Sequence, residues 1–593
     1  MFLYEPSNLI NTLKTTKAMS SLAPPPTIVV SGSSFFSFRN PNTHRPVSCR
    51  SGGRRNLILK PSCKILDDGN HHKHDRRDVL LGLGSLYTAF ASNSLAFADP
   101  IQPGKCGPPD NLPEDVNPIN CCPPEFRGTI IDFTPPPPSK PLRVRPAAHL
   151  VDSDYIHKFI KAIEIMKSLP EDHPHSFMQQ AAVHCAYCND SYKQQGHSNL
   201  NIQVHKSWLF FPFHRQYLYF FEKICGKLIG DPDFAIPFWN WDAPDGMEIP
   251  GMYTHRESPL YDALRNADHQ PPCVVDLQYD TEEKHRSRED QVVLNLSTMH
   301  RQMISGANTT SLFMGNPYHA GDRPCAGSGT IEGVPHDTLH TWTGDKSRPY
   351  LENMGTFYSA ARDPMFYGHH ANVDRMWYLW KTIDATRQDF GDKDWLETFF
   401  YFYDENAQMV RFKVKDCLDT EKLGYTYQKV DIPWKNAKPT PRLIRPFKPL
   451  LHDFPFEDDI FPARLDKPIK VLARRPNKSR RSREEKRKKE EILVIEGIEV
   501  KSKGFVKFDV LMNEEDERLS GPDKTEFAGS FVNVTSNHRH GKNLKTKLRL
   551  GISELLEDLN AADDPYLLVT LDPKFGCDAV SVQGIKIEFE EKA

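Results

Sequence analysis

Six histidines in two groups of three carry most of the chemistry this sequence offers. The first group is His184, in His184-Cys185-Ala186-Tyr187-Cys188, then His205, then His214 in Phe213-His214-Arg215. The second is His336 and His340, in His336-Asp337-Thr338-Leu339-His340, followed by His370. His336 and His340 are four residues apart, so on a helix both rings leave one face at a spacing that chelates a single metal ion. A lone histidine on an apolar helix is more often a core or surface residue than a ligand, and this chain has 24 histidines. An i,i+4 pair with four more in aromatic, helical surroundings outweighs that base expectation. Two imidazole-only sites, without thiolate or carboxylate ligands, argue against structural zinc and against di-iron. They suit a pair of copper ions with open positions, and two such sites facing each other can take O2 between them.

Helices must bring those rings together. Asp152 or Ser153 caps a segment with Tyr155, Phe159, Ile163 and Met166 on one face, stopped by Pro170. A second helix is expected from Ser176 through Cys188, a third from near Phe213 to Gly230, and a fourth after Pro364. The fourth carries His370, Val373 and Trp377 at i, i+3 and i+7. His369 is expected to point elsewhere on it and is not counted as a ligand, while Asp374 is expected to accept an imidazole N–H. Residues 99–440 thus read as a mainly α catalytic domain, an antiparallel helix bundle holding the dinuclear centre, preceded by a Pro-rich arm. Residues 441–490 read as a basic, protease-sensitive linker, with ten Lys/Arg between 474 and 489. Residues 491–593 read as a C-terminal β-sandwich, from alternating runs at 492–500, 505–511, 531–534, 566–571 and 580–589.

The 593 residues exceed what one core accommodates, and a net charge of −3 gives no global cue for nucleic acid or an anionic membrane. The basic stretch lacks the aromatic platform that would accompany it in a nucleic-acid binder. Residues 1–98 read as a bipartite targeting segment. A Ser- and Arg-rich stretch poor in acids comes first, then Arg76-Arg77, an apolar run from Val79 to Ala91, and Ala96-Phe97-Ala98. The run is too short for stable membrane insertion. Import into a chloroplast and twin-arginine export into the thylakoid lumen are the expected route, with the mature chain starting at Asp99. The sequons at Asn295, Asn308, Asn477 and Asn533 are expected to stay unmodified on that route.

At His184-Cys185-Ala186-Tyr187-Cys188, Val204-His205-Lys206-Ser207-Trp208, Pro237-Phe238-Trp239-Asn240-Trp241-Asp242, His369-His370-Ala371-Asn372-Val373-Asp374-Arg375 and Lys507-Phe508-Asp509-Val510, the chain resembles the plant polyphenol oxidases. These belong to the tyrosinase, catechol oxidase and hemocyanin class. The resemblance implies copper A on His184, His205 and His214, and copper B on His336, His340 and His370. It implies a thioether between Cys188 and His205, and disulfides Cys106–Cys122 and Cys121–Cys185. Glu332 matches an acidic residue that holds a water able to deprotonate a phenol, and Phe357 an aromatic gate over copper A. Asp337 is expected to put a negative charge at the pocket mouth, favouring amine-bearing or neutral phenols over carboxylated ones. The implied reaction is oxidation of o-diphenols to o-quinones with reduction of O2 to water, and hydroxylation of monophenols depends on pocket details. Tyr425-Thr426-Tyr427 matches the family's end of the catalytic core. The full chain is expected to be a latent proenzyme, activated when a protease removes the C-terminal domain. An O2 carrier with the same six histidines fits the tandem plastid signal poorly. Cys225, Cys273, Cys325, Cys417 and Cys577 have no assigned role.

Overall fold

The first expected helix forms as α1, Ser153–Ser168, where the Asp152 side chain accepts a 2.8 Å hydrogen bond from the Tyr155 amide and so satisfies an open N-terminal donor. Phe159, Ile163 and Met166 form its buried face. The computed structural model describes residues 98–592 except 114, 139–140, 443–447, 477–480, 502–503 and 535–542. The expected targeting segment up to residue 97, parts of the expected linker and the sequon at Asn477 therefore lie outside the described residues.

Helix α2, Phe177–Cys188, is capped by Ser176, and α3, Phe210–Ile229, ends at Gly230 in the left-handed region (φ 70°). The third helix begins before Phe213 because Pro212 falls in its first turn, where the missing N–H is not needed. Helix α4, Arg288–His300, lies outside the four expected and is capped by Ser287. Helices α5, Thr338–Thr343, and α6, Met365–Ile383, complete the set that matters for the site. Almost every residue of α3 from Phe210 to Gly226 is buried, so it is the central rod of the body. The Pro-rich arm is tied down by disulfides Cys106–Cys122 and Cys121–Cys185, the second reaching α2.

A buried charge network locks α3 to α6. Asp374 of α6 accepts from Arg215 of α3 (2.5 Å), from Arg145 (3.1 Å) and from Tyr425 (2.6 Å), and also from Tyr427. Arg145 reaches Glu222 of α3 at 2.8 Å. The strand Arg143–Arg145 pairs in parallel with Tyr425–Tyr427, so both chain ends of the catalytic body meet at this carboxylate. Asp374 therefore serves guanidinium and phenol groups, not an imidazole as expected. The reason is supply: two arginines and two tyrosines from distant segments occupy its oxygens.

The C-terminal domain is the expected β-sandwich. One sheet orders β1 (Ile469–Arg474), β6 (Tyr566–Phe575), β3 (Val506–Met512) and β4 (Phe527–Asn533). The other centres on β2 (Lys489–Val500), flanked by β5 (Leu544–Gly551) and β7 (Gly584–Glu591), all antiparallel. Leu493, Ile495 and Ile498 of β2 face Val506, Phe508 and Val510 of β3 across the shared core. Residues 441–490 are not all linker. Strand β1 pairs residue for residue with β6 from Ile469↔Leu571 to Arg474↔Tyr566, and Ala463–Arg464 pairs with Ser581 and Val582. Their aliphatic side chains, Leu465, Ile469 and Val471, complete the sandwich core.

The opposite faces of these strands are buried against the helical body. Ile492 and Val494 pack on Leu312, and Phe505 and Val532 on Val334.

Candidate active site

The six expected histidines converge, all of them fully buried. His184 sits on α2 and His214 on α3, while His205 lies in the loop just before α3. His336 lies in the segment Glu332–Asp337, kinked at Val334, while His340 lies on α5 and His370 on α6. One group gathers His184, His205 and His214, the other His336, His340 and His370, with ligand-type atoms inside each group within 4.8 Å of one another. The two groups abut, with ring centroids 4.3 Å apart for His214 and His370 and 5.8 Å for His205 and His336.

Hydrogen bonds fix which nitrogen is left over in five of the six rings, whereas His370 Nδ1 has no hydrogen-bond partner among the described residues and its Nε2 lies 3.2 Å from His340 Nε2. His184 Nδ1 donates to the Phe357 carbonyl (2.9 Å), His214 Nδ1 to the Phe210 carbonyl (2.8 Å), and His340 Nδ1 to the Met354 carbonyl (2.7 Å). A carbonyl only accepts, so each of these rings carries its proton on Nδ1 and presents a bare Nε2. Gln203 Oε1 does the same for His205 at 3.2 Å, its own amide donating to the Cys188 carbonyl. His336 Nδ1 lies 3.1 Å from the Glu332 carbonyl and 2.9 Å from Asp337 Oδ1. The Nε2 atoms of His336 and His340 are then two lone pairs facing each other at 3.1 Å. Burial holds every one of these imidazoles well below the usual histidine range, His340 at about 4, so all are neutral at pH 7. Two sets of converging, neutral imidazoles, five of them with a bare Nε2, are a donor arrangement for metal cations.

Cys188, also buried and outside any disulfide, has its sulfur within the first group's 4.8 Å radius, beside the His205 ring. Phe357 stacks on His205 with ring centroids 4.2 Å apart and planes 14° apart. Glu332 is fully buried. One oxygen accepts from the Lys206 amide while Oε2 has no hydrogen-bond partner among the described residues, and burial raises its carboxyl to about 8. Asp337 does not reach a pocket mouth. It is 1 % exposed, with one oxygen on His336 and the other 3.6 Å from Lys206 Nζ, so no free negative charge is presented to substrate. His369 also departs from expectation, stacking on His336 (5.4 Å, 16°) within the second group.

Sequence reasoning missed Gln203, Lys206 and the Met354 carbonyl. No local periodicity marks a residue whose partner arrives from another part of the chain.

Three family models match in tandem: the common central domain of tyrosinase over residues 174–383, the polyphenol oxidase middle domain over 389–440, and the chloroplastic polyphenol oxidase C-terminal domain over 461–589. A chloroplastic polyphenol oxidase of Malus domestica is 51 % identical over 96 % of this chain and all of its own length. Aureusidin synthase of Antirrhinum majus is 50 % identical over 90 % of this chain and 98 % of its own. The solved structure of latent apple tyrosinase superposes with a TM-score of 0.74 at 55 % identity, covering 78 % of this chain and 100 % of that one. The chain belongs to the plant polyphenol oxidases of the tyrosinase family, and it is an enzyme of that family.

Proposed function

We propose that this chain is a dinuclear copper oxidase that converts o-diphenols to o-quinones, held latent by its C-terminal domain and resident in the thylakoid lumen of a chloroplast. The carrying observation is the pair of bare Nε2 atoms 3.1 Å apart on His336 and His340, an arrangement that repels unless a cation lies between them. Three neutral imidazoles per site, without thiolate or carboxylate in the set, match copper's preference. His184, His205 and His214 would hold one ion, and His336, His340 and His370 the other. When bound, the pair exchanges electrons between catechol and O2, so that two catechols and one O2 give two quinones and two waters.

The protein's own part is orientation and proton handling. Backbone carbonyls of Phe357, Phe210 and Met354 hold three ligand rings in one tautomer. A Cys188–His205 thioether would fix a fourth. Phe357 packs flat on His205 and restricts which ring reaches the first site. Glu332, with one oxygen anchored on the Lys206 amide, is the base candidate for a phenolic proton.

Latency is supported by strand β4 and the loop before β3, whose Val532 and Phe505 pack on Val334, between Glu332 and His336 in the chain. Lumenal residence is supported by the tandem signal and by the two disulfides, which need an oxidising compartment. The relatives are named chloroplastic, and among the described residues no helix is long and apolar enough to cross a membrane.

The test is copper content and O2 uptake with 4-methylcatechol. The full mature chain should bind two coppers, and H214A and H340A should each retain one and lose catechol turnover. Two coppers bound without O2 uptake, even after removal of the C-terminal domain, would refute the oxidase.

The interdomain contact has its own pH signature. Lys438 bridges Glu554 (2.8 Å) and Asp558 (2.9 Å) on the C-terminal domain. The neighbouring His300 imidazole and Lys438 hold the Glu554 carboxyl down at about 2, against 4.5 for a free glutamate. A depressed folded pKa stabilises fully above pH 4.5 and is lost as pH falls toward 2. Lowering the pH from 7 to 5 should therefore leave this clamp intact. E554Q should weaken domain docking at pH 7 and narrow the difference from wild type below pH 4, read by urea titration of the interdomain transition.

A further inference from the structure

Lys206 has a backbone conformation and a burial that its residue type disfavours. Its φ of 57° lies in the left-handed region, which glycine occupies without a Cβ clash. Its side chain is only 5 % exposed, although lysine is almost never buried unless paired. Both features are explained by what it touches. The amide donates to Glu332 Oε1, the carbonyl accepts from the Gly327 amide (2.8 Å), and Nζ lies 3.6 Å from Asp337 Oδ2. Asp337 Oδ1 in turn accepts from His336 Nδ1 at 2.9 Å. One residue, adjacent in sequence to His205 of the first triad, thus grips the carboxylate that steadies His336 of the second.

We propose that Lys206 is a positioning residue for the second metal site, acting through Asp337 on His336 and joining the two triads into one unit. The inference rests on the copper reading above. A carboxylate behind a ligating imidazole fixes the ring and raises its basicity. A buried ammonium 3.6 Å from the second oxygen of that carboxylate holds it in place, where a carboxylate without that partner could rotate away from His336. Glycine would suit the backbone at 206 better. The lysine's presence there points to its side chain as the working part.

The test is release of copper to a chelator from the purified, copper-loaded full chain, with melting temperature measured alongside. K206G, which relaxes the backbone while removing the ammonium, should release one of its two coppers 10- to 100-fold faster than wild type and leave the other at the wild-type rate. K206M should do the same, D337N should match it, and K206M/D337N should be no faster than either single variant. K206R, which keeps the charge, should restore most of the retention. A K206G or K206M chain that loses melting temperature but releases both coppers at wild-type rates would overturn the proposal and leave Lys206 a purely structural residue. If K206M does not fold, K206G and K206R alone decide. Failure of wild type to bind two coppers would instead refute the copper reading.

Discussion

Replacing Asp374 by Asn should destabilise the catalytic body by about 3–5 kcal/mol, because it removes one member of a buried ionic network and leaves its partners uncompensated. Arg215 lies 2.5 Å and Arg145 3.1 Å from this carboxylate, which is 2 % exposed. Burial alone would raise the Asp374 carboxyl, but Arg215 and Arg145 outweigh it and hold it below the ordinary value of 3.8. Its contribution is thus present above pH 3.8 and disappears only as pH falls through the lower folded value. An amide keeps the shape but not the charge, so Arg145 would be left with Glu222 as its counterion and Arg215 would lose its partner carboxylate. The damage should extend to the metal centre. Asp374 lies one helical turn from His370 on α6, and Arg215 is the next residue after His214 on α3. Loosening that clamp shifts one ligand of each triad relative to the other. Removal of single hydroxyls in Y425F and Y427F, each donating to the same charged carboxylate, should cost less, about 1.5–3 kcal/mol apiece. Urea unfolding of the three variants separates the cases. If D374N costs no more than Y425F, the charge is not what holds the two helices.

Part of the histidine pattern, and the helices that carry it, were legible because they are written locally. His336 and His340 stand at helical spacing, Asp152 and Ser176 sit where caps belong, and Gly230 follows the last apolar position of α3. The supporting residues were not legible, because their roles depend on pairing across the chain. Asp337 looks like an exposed acid beside a ligand until Lys206 arrives, whose amide also meets Glu332 at a separation of 126 residues. Asp374 looks like an imidazole partner until two arginines and two tyrosines from three other segments claim its oxygens. In the C-terminal domain, alternation was read for β2, β3 and β6 and for parts of β4 and β7, but missed in β5 and β1. The signal in β1 was present, with Ile469, Val471 and Ala473 on one face. It is a six-residue strand lying against a strongly basic run, and the charge of its neighbour obscured it.

Under the proposed latency, that strand sets where a protease has to cut to release the catalytic body. A nick at 477–480, inside the basic run, should leave the chain latent, whereas a nick at 443–447 followed by removal of the downstream piece should give full catechol turnover. Strand β1 lies upstream of the first position and downstream of the second. After cleavage at 477–480 it stays paired with β6 along six residues, from Ile469↔Leu571 to Arg474↔Tyr566. Burial of Ile469, Val471 and Leu472 contributes on the order of 5–9 kcal/mol to keeping it there. Arg475 adds a buried bidentate pair with Glu491 of β2, at 2.7 and 2.9 Å. The nicked sandwich should thus remain whole, with Phe505 and Val532 still on Val334. A cut at 443–447 severs the covalent tie before any strand of the sandwich begins. What then holds the domain is the face against the body, including Lys438 with Glu554 and the packing of Ile492 and Val494 on Leu312. Single protease sites placed in turn at 443–447 and 477–480 of the full chain, with size-exclusion chromatography and O2 uptake after each cut, test this directly. Turnover that rises as much after the second cut as after the first would mean that β1 does not anchor the domain, and that the basic run itself is the release point.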